Sequence, residues 1–115
     1  MSVSIYHNPR CSKSRLTLQI LEEKGIDFKL VEYLKQAPTV ARLEEILGML
    51  GMKPRDLMRK NEAIYKELAL DNAELSDEEL VLAMHQNPIL IERPIVVNGN
   101  EARIGRPPEN ILDIL

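Results

Sequence analysis

"SVSIYHNPRCSKSRLTLQILEEKGIDFKLVEY", residues 2–33, changes its hydrophobic period twice. Residues 2–6 form a short β-branched run with alternation, and the run stops at Asn8-Pro9, a turn signal that a strand cannot absorb. From Ser12 to Lys24 the pattern becomes helical, with Leu16, Ile20 and Leu21 on one face and Gly25 placed as a stop. Residues 27–33 alternate again through Phe28, Leu30 and Tyr33. Two strands joined by a helix make a right-handed parallel βαβ unit. In that unit Cys11 stands at the helix N-terminus.

Downstream, the pattern stays helical for some fifty residues. Thr39 can cap a helix carrying Val40, Leu43, Ile46, Leu47 and Leu50 up to Gly51, and Pro54 can start a short helix through Met58. Residues 61–68 suit another short helix. Ser76 and Glu79 have capping-box spacing, with Leu75 and Leu80 as a hydrophobic staple, and that helix should run to about Gln86. "RPIVVNGNEARIGR" (93–106) reads as a β-hairpin turning at Asn98-Gly99, which would pair Val97 with Asn100, Val96 with Glu101, Ile95 with Ala102 and Arg93 with Ile104. Arg93 and Arg106 then share the open end of the hairpin. Pro107 and Pro108 suit a first helical turn, with Ile111, Leu112 and Leu115 as an apolar stripe. The expected fold class is α/β with a mixed sheet.

Composition narrows the function. The chain has 115 residues, enough for one domain (1–115), and its 44% hydrophobic and 29% charged content is that of a soluble globular protein. With 3% aromatics and a net charge of -3, neither a stacking platform nor a general polyanion face for nucleic acid is available. No segment reads as a membrane span or a secretory leader, so a cytoplasmic location is expected. One cysteine allows no internal disulfide, and two scattered histidines, His7 and His85, supply no metal-ligand spacing.

Any role for Cys11 is therefore as a thiol. Its nearest neighbours, Asn8, Pro9, Arg10, Ser12, Lys13 and Ser14, are all polar or turn-forming, whereas a core cysteine would sit among apolar residues. A helix N-terminus and nearby cations lower a thiol pKa, and the same amides can hold an oxyanion. A small anionic electrophile is the fitting substrate. The Cys-x5-Arg loop of cysteine phosphatases is absent, since Thr17 occupies the arginine position. The motif is C-x-x-S, so no second thiol of this chain can resolve a disulfide formed on Cys11.

"YHNPRCSKSR" (6–15), "LMRKN" (57–61), "NPILIERPIVVNG" (87–99) and "RIGRPPENILDIL" (103–115) together resemble the glutaredoxin-coupled arsenate reductases, the ArsC family, in its short-chain YfgD-like subgroup. The resemblance implies a thioredoxin-like fold with a helical insertion at about 39–86. It also implies an oxidoreductase of arsenic detoxification in which Cys11 attacks arsenate. By the same resemblance Arg59, Arg93 and Arg106 bind the oxyanion, and His7 and Ser14 tune the thiolate. Pro94 matches a cis proline facing the cysteine. Glutathione is the implied co-substrate and glutaredoxin the implied partner, with no bound cofactor. Two alternatives share this pattern: a thiol transferase or other oxyanion reductase on the same site, and an Spx-type non-enzymatic transcription regulator. The second normally senses oxidation through a C-x-x-C pair, which Ser14 removes here.

Overall fold

The structure, a computed structural model, describes residues 2–115. They fall into two units. One joins the stretch ending at Gln36 to Arg93–Leu115, and the other is Ala37–Glu92.

The first unit holds a four-stranded sheet in the order β2-β1-β3-β4, built from β1 (Val3–Tyr6), β2 (Phe28–Val31), β3 (Ile95–Asn98) and β4 (Glu101–Ile104). β1 runs parallel to β2 and antiparallel to β3, and β3 pairs antiparallel with β4, so the sheet is mixed as expected. The crossover between β1 and β2 is the helix α1 (Ser12–Glu23), with Cys11 as its N-cap residue. Val3 and Ile5 of β1, Leu21 of α1, Val96 of β3 and Ile111 and Ile114 near the C-terminus form one buried cluster. Together with the strand pairing, this burial fixes α1 over the sheet.

Three details differ from the expected pattern. On α1 the buried face carries Ser14, Thr17 and Leu21, whereas Leu16 is 50% exposed. At about 100° per residue Leu16 lies on the far side of the helix from Ser14, and the two hydroxyls tolerate burial because each is hydrogen-bonded. The hairpin turns at Gly99-Asn100, one residue later than expected, pairing Ile95 with Ile104, Val96 with Arg103, Val97 with Ala102 and Asn98 with Glu101. Asn98 is kept in the strand by pairing with Val3 and by donating its side-chain amide to the Ile114 carbonyl at 2.6 Å. Gly99 takes the positive φ of 61° that the first position of such a tight turn requires.

The last element is a 3-10 helix, Pro108–Ile114, in place of the expected α-helix. Its period of three turns Pro108, Ile111 and Ile114 inward and leaves Leu112 and Leu115 exposed, in place of the stripe Ile111, Leu112 and Leu115. Ile111→Ala should therefore lower unfolding stability by about 2–4 kcal/mol, while Leu112→Ala stays within about 0.5 kcal/mol, as denaturant titration would read.

The second unit is helical. α2 (Val40–Leu50) is capped by the Thr39 hydroxyl, which accepts from the Arg42 amide, and ends at Gly51. A 3-10 turn, Pro54–Leu57, and the short α3 (Ala63–Glu67) follow. α4 (Asp77–Gln86) has the full Ser76–Glu79 capping box and packs against α2. Beyond α4, residues 57–59 run antiparallel beside 90–92: Met58 bridges Ile91, the Arg59 amide donates to Leu90 and the Glu92 amide donates to Leu57. Among the described residues no helix is long and apolar enough to cross a membrane.

Candidate active site

Cys11 is half-buried where the loop after β1 enters α1. That loop is held by its own polar groups: the Cys11 amide donates to the Asn8 carbonyl, the Arg10 amide to Asn8 Oδ1, and the Arg15 guanidinium to the Pro9 carbonyl. Asn8 is buried, as are His7 and Ser14. His7 Nδ1 lies 2.6 Å from Ser14 Oγ, which also accepts from the Asn8 amide at 3.0 Å. A hydroxyl that accepts from an amide still has its own proton to donate, and a neutral imidazole can receive it. Burial lowers the His7 pKa, with Glu32 opposing and Arg15 adding to the lowering, which favours the neutral ring.

The corrected hairpin register, continued by two residues, sets Arg93 opposite Arg106, and Arg106 Nε donates to the Arg93 carbonyl at 2.7 Å. Arg106 Nη2 reaches Cys11 Sγ at 3.6 Å, and the Arg93 side chain also hydrogen-bonds the sulfur. Burial raises the thiol pKa, but the Ser14 amide, the Arg93 hydrogen bond, the Lys13 amide and the Arg93 charge together outweigh it. The net direction is downward. No close cap hydrogen bond forms to the side chain, so the two amides act as dipoles aimed at the charge. The Arg93-Pro94 peptide is cis, and Pro94 is buried.

Arg59 sits in the helical unit between two carboxylates: its Nη1 meets Glu92 Oε1 at 2.8 Å and its Nε meets Glu62 Oε2 at 3.2 Å. Partial burial lowers its pKa, but Glu62 and Glu92 more than compensate, so it remains a cation with its charge balanced locally. Neighbouring Arg55 is structural, donating to the carbonyls of Leu70 and Asn72. Of the residues expected at the site, the first unit thus brings together Cys11, Arg93, Arg106, Ser14 and His7. Among the described residues no group of His, Cys, Asp and Glu is arranged to hold a metal ion.

The model of the ArsC family matches residues 6–114, a span that contains the Cys11 loop, Arg59, Arg93 and Arg106. The chain belongs to the ArsC family. Among ArsC relatives it is 54% identical to the uncharacterized protein YfgD of Escherichia coli K12, over 98% of this chain and 96% of that one. It is 52% identical to an arsenate reductase of Haemophilus influenzae over the whole of both chains. A solved structure of an arsenate reductase from Vibrio cholerae superposes with a TM-score of 0.97 at 52% identity, covering 100% of this chain and 98% of that one. The ArsC fold is thus a thioredoxin-like α/β fold in this chain too.

Two parts of the site went unread in the sequence. Asn8 anchors the loop, and Thr17 packs closely on Gly105. The available signals were slight: a polar residue on the inner face of a helix, and a glycine at a strand end, which often marks close backbone approach.

Proposed function

We propose that this protein is an arsenate reductase that works with glutathione and glutaredoxin. The observation that carries the reading is Cys11, its pKa lowered, lying within 3.6 Å of the Arg106 guanidinium and hydrogen-bonded by Arg93. Two guanidiniums offer bidentate donors to a tetrahedral dianion and offset its charge together with that of the thiolate, which a lysine pair would do with less geometric control. The names of the relatives support arsenate as that anion.

In this reading the Cys11 thiolate attacks As(V) and a Cys11–S–As bond forms, while an arsenate hydroxyl takes one proton from solvent and leaves as water. A glutathione thiol then bonds to Cys11 sulfur as the S–As bond breaks. The electron pair stays on arsenic, which leaves as arsenite, and the two sulfurs are oxidised to a mixed disulfide. Since the chain has a single cysteine, an outside thiol must reduce that disulfide, the role assigned to glutaredoxin. His7 and Ser14 hold the loop in the state that keeps Cys11 ionised. Arg59, held by Glu62 and Glu92, is the third arginine of the family pattern.

The test is NADPH oxidation coupled through glutathione reductase, with glutathione, glutaredoxin and a panel of oxyanions. Arsenate should drive the fastest turnover. A folded protein whose rate with arsenate equals the rate without it contradicts the reading, and turnover of a glutathionylated disulfide alone would replace it with thiol transfer.

A further inference from the structure

We infer that Gly105 and Thr17 form a steric joint that positions the Arg106 guanidinium against Cys11, making Gly105 a positioning residue of the anion site. Gly105 is buried at the end of β4 and donates its amide to the Pro94 carbonyl at 2.9 Å. A Cβ on Gly105 would lie 2.8 Å from Pro94 Cγ and 3.2 Å from Thr17 Cγ2, and it would collide with Thr17 Oγ1. Neither neighbour can step aside cheaply. Thr17 is fully buried and its hydroxyl donates to the Lys13 carbonyl at 2.8 Å, while Pro94 is a buried ring whose Cγ moves only by puckering.

The absence of a side chain at residue 105 therefore lets the strand end seat directly on α1. The next residue is Arg106, which spans from the Arg93 carbonyl to Cys11 Sγ. Any added bulk moves the strand end away from α1, and a charge-assisted hydrogen bond weakens steeply with distance and angle. The inference rests on the anion-binding role of Arg106 and requires no particular substrate.

Its test compares alkylation of Cys11 by iodoacetate, an anion, with alkylation by neutral iodoacetamide, at a pH where the thiol is ionised in every variant. Arg106 in place should favour iodoacetate. Gly105→Ala should lower the iodoacetate-to-iodoacetamide rate ratio about three- to tenfold, the scale of moving one charge from contact to solvent separation. Adding Thr17→Ala should recover more than half of that loss, and in an Arg106→Ala background Gly105→Ala should change the ratio no further. A native ratio in folded Gly105→Ala, or an equal fall in the Arg106→Ala background, overturns the inference. If Gly105→Ala alone does not fold, recovery of the fold by Thr17→Ala supports the joint, and failure of the double variant to fold overturns it. Because no arsenate is used, failure here leaves the arsenate reading to its own assay.

Discussion

Cys11→Ser should reduce arsenate-driven NADPH oxidation to the background rate, a fall of about three orders of magnitude or more. The hydroxyl that replaces the thiol ionises far outside the reach of two amides and a guanidinium, so no nucleophile forms near neutral pH. It also cannot form the mixed disulfide on which turnover by glutathione depends. The fold should survive, because the residue is half-buried and its backbone, which accepts from the Arg15 amide and donates to Asn8, is untouched. A stability change within about 1 kcal/mol in denaturant titration would separate lost chemistry from lost structure.

Arg93→Ala should lower kcat/KM about 10²- to 10³-fold, the usual cost of removing one donor aimed at developing charge. It should also raise the Cys11 pKa. Burial alone raises that pKa, and Arg93 opposes it twice, by a hydrogen bond and by its charge. Without Arg93 only the amides of Ser14 and Lys13 and the Arg106 hydrogen bond act against burial. The pH profile of alkylation should therefore shift to higher pH, with the plateau rate reached later. Arg93→Lys keeps the charge and loses the fork, so it should restore much of the pKa and little of the turnover. If both substitutions leave the pH profile unmoved, Arg93 does not act on the thiolate.

What could be read in the sequence was mostly local. The β1–α1–β2 opening follows from period changes within some thirty residues, and the Thr39 and Ser76–Glu79 caps involve partners three residues apart. The hairpin register was settled elsewhere, by β1 pairing with β3 and by Asn98 bonding to Ile114. A one-residue shift of the turn moved each pairing by two, which kept every side chain on its face. The expected neighbourhood of Arg93 and Arg106 survived for that reason. The carboxylates on Arg59 were hidden because Glu92 lies 33 residues away and meets it only through the pairing of 57–59 with 90–92. The His7–Ser14 bond joins the end of a strand to the first turn of a helix, and Gly105 meets Thr17 across the end of the sheet. Both depend on how β1, α1 and β4 pack.

The anion site makes Cys11 a thiolate. The most direct measurement is the pH titration of the thiolate ultraviolet absorbance in the native protein, with Cys11→Ser as blank. The expected midpoint lies clearly below that of a free cysteine, about 8.5, with a further rise in absorbance absent above it. A midpoint at or above the free value would contradict it, because burial would then outweigh every group that faces the sulfur.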